Sequence, residues 1–113
     1  MPHFRSGALE FHYADVGHGL PFVFQHGLGG DTHQTLAIFP APTAFRMLTL
    51  DCRGHGQTQP LGDPAALSFD TFADDVLAMI DRLDLDPVVM GGISMGAGVA
   101  LNFALRYPER LLG

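Results

Sequence analysis

The sequence runs to 113 residues, 47% of them apolar, which suffices for one modest hydrophobic core and no more than one domain. Its net charge of −6 and complete lack of lysine argue against a nucleic-acid or anionic-membrane partner, and exclude Schiff-base and P-loop lysine chemistry. A single cysteine, Cys52, excludes an internal disulfide and a Cys-based zinc site; it reads as a packed residue in a reducing compartment.

The N-terminal segment Met1-Pro2-His3-Phe4-Arg5-Ser6-Gly7 has no continuous apolar stretch of the kind a signal peptide needs, and no later run approaches a membrane span. A cytoplasmic location is the default expectation. Leu9, Phe11 and Tyr13 alternate with Glu10, His12 and Ala14, the period of a half-buried antiparallel strand. Asp15-Val16-Gly17-His18-Gly19 supplies turn residues, and a second apolar run, Phe22-Val23-Phe24, ends in Gln25-His26-Gly27-Leu28-Gly29-Gly30. A helix is predicted to begin at Asp31 or Thr32, where a capping side chain is available, and to end before Pro40. Phe45 to Leu50 forms the next strand. Asp51 to Pro64 holds three Gly and two Pro with no apolar period, and reads as a loop.

Helical periodicity then returns. Phe69, Phe72, Ala73, Val76, Ile80 and Leu83 recur at spacings of three and four, with Asp74, Asp75, Asp81 and Arg82 on the other face. Asp86-Pro87 closes this helix and opens a short buried strand, Pro87-Val88-Val89-Met90. From Ala97 to Tyr107 the chain is long, largely apolar and free of Pro, and it stops at Pro108: a buried helix. Strands alternating with helices predict an α/β domain with a largely parallel sheet and functional loops at the strands' carboxyl ends.

Between that last strand and helix lies Gly92-Ile93-Ser94-Met95-Gly96. Joining strand to helix within so few residues demands tight packing and unusual backbone angles, which accounts for the glycines crowded around Ser94. One reading makes Ser94 a nucleophile held out at the strand's end; the alternative makes it only a helix cap. A hydroxyl is a poor nucleophile at neutral pH, so the first reading needs an imidazole to take its proton and a carboxylate to orient that imidazole. It also needs preplaced donors for the charge that develops on a substrate carbonyl oxygen.

Taken together, the His26-Gly27 turn, Asp51-Cys52-Arg53-Gly54-His55-Gly56 and Gly92-Ile93-Ser94-Met95-Gly96 resemble the N-terminal half of an α/β-hydrolase, across almost the whole chain. The resemblance implies Ser94 as nucleophile and the backbone N–H groups of Leu28 and Met95 as the oxyanion hole. It also implies structural support from Gly27, Gly92 and Gly96, and a bracing role for His26. The substrates it implies are esters, lactones or related small acyl compounds, with no cofactor. Met95 after the nucleophile is similar to the esterase, enol-lactonase and cofactor-free perhydrolase branches, and serine rather than aspartate at the elbow disfavours haloalkane dehalogenases and epoxide hydrolases.

Asp51 and His55 would complete a triad's inventory with Ser94, but the family sheet puts the Asp51 strand about two strand spacings, ~10 Å, from Ser94. Asp51, Arg53 and His55 therefore read as a structural loop network. His3, His12, His18 and His33 lack helical i, i+4 ligand spacing, so no metal site is expected. Nineteen residues follow Ser94 and none is Asp or His, whereas the family places both after the nucleophile. The expectation is a partial α/β-hydrolase domain over residues 1–113, without the later strands, cap, catalytic acid and histidine, and inactive by itself. Arg110-Leu111-Leu112-Gly113 looks like the start of a further strand. The alternative is a non-catalytic fragment that pairs with another chain, with its own missing half, or with itself through an exposed sheet edge.

Overall fold

A computed structural model describes residues 2–39, 44–60, 62 and 64–113. Its first two strands, β1 (His3–Ser6) and β2 (Leu9–Gly17), form an antiparallel hairpin in which Ser6 pairs with Leu9 across a two-residue turn. The sequence reading placed no strand at β1. Only Phe4 of its four residues is buried, so no period was there to read.

In β2 the expected alternation fails at His12 and Ala14, both buried. The loop that follows the fourth strand folds over this end of β2, where Glu10 and Gln59 exchange backbone hydrogen bonds of 2.6 and 2.9 Å. The strand also continues through Asp15-Val16-Gly17, read from sequence as a turn, because β4 (Phe45–Leu50) pairs with it as far as Gly17–Arg46. Arg46 forks onto Asp15 there, at 2.8 and 2.6 Å.

With β3 (Leu20–Gln25) and β5 (Val89–Gly92), the sheet has the order β1-β2-β4-β3-β5. It is antiparallel across β1-β2-β4 and parallel across β4-β3-β5, so it is a mixed sheet whose parallel part leads into the strand-to-helix corner at Ser94. The fifth strand lies two residues later than the sequence suggested, because Gly91 and Gly92 pair with Phe24 and Gln25. Residues 110–113 run along the outer side of β5. Leu111 bridges Val88 in parallel, and Leu112 donates to the Val88 carbonyl at 2.7 Å.

Among the described residues, three α-helices cover the sheet. In α1 (Thr32–Ile38), Asp31 is the cap and accepts from the His33 amide at 2.9 Å; Pro40, the expected limit, lies outside the described residues. Ser68 caps α2 (Phe69–Arg82) by accepting from the Thr71 amide at 3.1 Å. Its inward face is Phe72, Ala73, Val76, Met79 and Ile80; of the predicted stripe Phe69 is instead 48% exposed at the helix start and Leu83 half-buried, while Met79, outside that stripe, is fully buried. Asp75 departs from that prediction: it is buried, facing Arg53. The last helix, α3 (Met95–Arg106), begins two residues before the expected Ala97 and ends at Arg106, with Tyr107 as its C-cap.

Strand alternation sends the two faces of the parallel strands to different partners. Val23, Leu48 and Leu50 are fully buried in the core built with Val76, Met79, Ile80, Val99 and Phe103 of α2 and α3. Phe22 and Phe24 point the other way, into an aromatic cluster with Phe39 and Phe45, with centroids 5.0 to 6.2 Å apart. Truncating Phe103 to Ala would cost about 3–5 kcal/mol by the usual toll of a large buried cavity. No helix among the described residues is long and apolar enough to cross a membrane.

Candidate active site

At the end of β5 the Ile93 amide donates to the Gln25 carbonyl at 3.1 Å, the last rung before the chain reverses into α3. Ser94 makes that reversal with φ +55° and ψ −116°, a left-handed conformation that a non-glycine residue occupies only when its surroundings enforce it. The enforcement is close packing. A Cβ at Gly96 would overlap the Gln25 backbone carbonyl, and a Cβ at Gly92 would overlap the Gly96 carbonyl, so the first turn of α3 lies directly on the end of β3. Ser94 stands at the helix cap position, yet its side chain makes no capping hydrogen bond, and the residue is exposed. The cap-only reading therefore has no bond to rest on.

Facing the serine is the turn between β3 and α1. A Cβ at Gly27 would lie 3.5 Å from the Ser94 Cβ. The Gly30 amide closes a four-residue turn onto the Gly27 carbonyl at 2.9 Å, and Gly29 sits at its third position with φ +77°, where a type II turn requires glycine. Gln34 of α1 accepts from the Gly27 amide at 2.6 Å and ties the turn to the helix. Leu28 is 80% exposed at the turn's tip. The Met95 amide is the first of α3, without an intrahelical acceptor and at the positive end of the helix dipole.

His26 is buried with both ring nitrogens engaged. Nδ1 is 2.7 Å from the Gly27 carbonyl, and Nε2 accepts from the Cys52 amide at 3.1 Å, which together select the neutral Nδ1–H tautomer. Burial is the main cause holding its pKa below the ordinary imidazole value, with a smaller push from His55, whose ring lies 5.0 Å away. This ring thus joins the turn facing Ser94 to the end of β4.

The carboxylate of Asp51, 1% exposed, is filled by other partners: His12 Nδ1 at 2.6 Å, the Thr32 amide at 2.7 Å and the Gln57 amide at 2.9 Å. His55 points its Nδ1 toward the Arg53 carbonyl at 3.2 Å. Asp51 and His55 thus have other partners, and β3 lies between the strands that lead to Asp51 and Ser94. Arg53 reaches instead to Asp75 through a two-pronged pair at 2.7 and 2.8 Å, which fastens the loop to α2. Burial raises the pKa of the Asp75 carboxyl against the opposing pull of Arg53. Cys52 is buried, and burial pushes its thiol up to about 12, so it carries no reactive thiolate.

Gln25 was missed by sequence reasoning. The β3–β4 ladder ends at the Val23–Leu48 pair, and the fully buried Gln25 side chain spans the gap beyond it. Its Nε2 donates to the Leu50 carbonyl at 3.2 Å and to Cys52 Sγ at 3.3 Å, while its Oε1 accepts from the Leu50 amide at 3.2 Å. A side-chain amide here replaces a backbone rung. Only the pairing of β3 with β4 shows this, so a polar residue after Phe24 carried no readable signal. His12, Gln34 and Asp75 escaped notice for the same reason: each acts on a distant segment.

A model of the alpha/beta hydrolase fold matches residues 21–113. A non-heme chloroperoxidase of Kitasatospora aureofaciens is 38% identical over 105 residues, covering 91% of this chain and 37% of that protein. A non-heme haloperoxidase of Rhodococcus erythropolis is 32% identical over 104 residues, covering 90% and 37% respectively. Among solved structures, an N-acyl homoserine lactone degrading enzyme superimposes with a TM-score of 0.85 at 32% identity, over 99% of this chain and 43% of its own. An epoxide hydrolase from Vigna radiata superimposes at 0.82 with 25% identity, over 97% and 37%. The chain spans less than half the length of each of these relatives.

Proposed function

The chain belongs to the α/β-hydrolase family, and from that premise we propose that Ser94 is the nucleophile of a hydrolase acting on an ester, lactone or related acyl compound. The observation that carries this reading is the left-handed Ser94 itself, exposed and uncapped, at a helix N-terminus and opposite the Gly27–Gly30 turn. Ser94 Oγ attacks the acyl carbonyl, and the carbonyl oxygen, as it becomes an oxyanion, is received by the Leu28 and Met95 amides. Each such donor is worth about 3–4 kcal/mol of barrier in serine hydrolases. Collapse of the tetrahedral intermediate expels the alcohol and leaves an acyl-Ser94 ester, which water then hydrolyses.

The general base and its acid come from outside these 113 residues in this reading. His26 is engaged through both ring nitrogens, with Gly27 and Cys52, while His12 Nδ1 is taken by Asp51 and His55 Nδ1 faces the Arg53 carbonyl. Ser94 in the position where an aspartate would form an alkyl-enzyme ester directs the chemistry to acyl rather than epoxide substrates. Full-length protein carrying this sequence should be labelled by a fluorophosphonate at Ser94, and S94A should lose both label and esterase turnover. Label or turnover that survives in S94A refutes the assignment.

A second reading, a chain that acts by pairing with another chain, is favoured by exposed Leu101 and Leu105, one turn apart on α3, and exposed Leu112 beside β5, at 63%, 76% and 60%. Sedimentation of the 113-residue chain, alone and with the C-terminal part of a relative, separates it from the first: a stable monomer indifferent to the added half excludes it.

A further inference from the structure

Beside the oxyanion turn lies a pocket of about 260 Å³ that the fold alone does not explain. Leu28 and Met95 form one wall. Leu67 precedes α2, Phe69 and Phe72 come from its first turn, and His55 closes the edge with its ring against Phe72 at 6.5 Å. We infer that this pocket binds the acyl portion of the substrate, and that this portion is uncharged and compact: a short aliphatic chain or a single ring. The inference rests on Ser94 as the nucleophile.

Three observations carry it. The side chains of Leu28 and Met95 line the pocket, while their amides are the donors proposed for the oxyanion, so a carbonyl held there has an apolar wall beside it on each donor residue. Among the described residues the lining holds no Asp, Glu or Arg; its polar groups are the Ser68 hydroxyl, which already accepts from the Thr71 amide, and the His55 ring at the edge, whose Nδ1 faces the Arg53 carbonyl. An ammonium would meet no carboxylate among these described residues and a carboxylate only the His55 ring at the edge, whereas a hydrocarbon loses nothing against the apolar remainder. The volume exceeds the roughly 150 Å³ of a dry cavity that admits benzene, and lies below the roughly 300–1,000 Å³ typical of pockets for drug-sized ligands. Phe69 also separates this pocket from the shallow groove along Gly98, Leu101 and Leu105 of α3.

The test is kcat/KM of the full-length protein on p-nitrophenyl esters from acetate to decanoate, with phenylacetate and a succinate half-ester. The expected result is a rise of up to about fourfold per methylene to a maximum near hexanoate, then a fall, with the half-ester disfavoured. L67W, which fills the pocket, should lower the hexanoate-to-acetate ratio at least tenfold. F69A, which enlarges it, should move the maximum to longer chains, and L105W on the outer face of α3 should leave the profile in place. A flat profile, a preferred half-ester, or unaltered ratios in both L67W and F69A while Ser94 is still labelled would overturn the pocket assignment alone, including the case in which other segments of the protein fill the space. Loss of Ser94 labelling in the unmodified protein would overturn the nucleophile reading and the pocket with it.

Discussion

Replacing Gln25 with Leu tests whether a side-chain amide holds the sheet together where β3 and β4 part. Leucine is close in size, so the change opens little cavity, but it removes the acceptor for the Leu50 amide and the donor to the Leu50 carbonyl. Each of the two backbone groups left buried without a partner costs about 1–3 kcal/mol, and the added apolar burial returns about 1 kcal/mol, for a net loss of about 1–5 kcal/mol. The same residue presents its carbonyl to the Ile93 amide and packs against Gly96, so a shift of β3 reaches both the corner at Ser94 and the Gly27–Gly30 turn that faces it. Urea unfolding of the full-length protein measures the first effect; the rate of fluorophosphonate labelling at Ser94 measures the second, expected to fall at least tenfold. Thr35→Val is the control. It removes the buried hydroxyl contact with Thr49, 2.9 Å long, and should cost about 1 kcal/mol while leaving the labelling rate intact. A Q25L protein within 0.5 kcal/mol of the unmodified one, or one that is destabilised but labelled at the normal rate, would refute this reasoning.

Gly96→Val should abolish Ser94 labelling although it removes no reacting atom, since its side chain would overlap the Gln25 carbonyl; a folded, normally labelled G96V excludes the elbow geometry. His26 has its pKa depressed by burial, so its neutral form contributes stability that is complete above the unfolded value of 6.5 and declines as pH falls through the folded value. The unmodified protein should therefore lose stability from pH 7.5 to 5.5 more steeply than H26N, and parallel slopes in urea unfolding would contradict this. Asp75→Asn should cost about 2–4 kcal/mol by leaving Arg53 without its two-pronged partner, while the double replacement R53M/D75L should be less damaging than D75N; strict additivity in that comparison would argue against a coupled pair.

The elements were readable wherever a local pattern met a breaker. The spacing of Phe72, Ala73, Val76 and Ile80 defined α2, Asp31 marked a helix start, and the glycines around Ser94 marked the strand-to-helix corner. These signals live within a few residues of chain, because capping, periodicity and left-handed backbone are local properties. The β1 strand, the extension of β2 to Gly17 and the burial of His12 and Asp75 had no such trace. Each is decided by a segment that arrives from elsewhere.

Sequence alone thus determined the family and picked out the corner at Ser94, since so tight a strand-to-helix reversal must write its glycines next to its serine. Tertiary structure alone decided what surrounds it. Hydrogen-bond partners such as His26 with Cys52, Gln25 with Leu50 and Asp51 with His12 are 26, 25 and 39 residues apart, and only the β4-β3-β5 order and the fold of the loop after β4 bring them together. The physical reason is that a buried polar group takes whichever partner the packed fold sets within about 3 Å, and chain neighbours do not specify that partner.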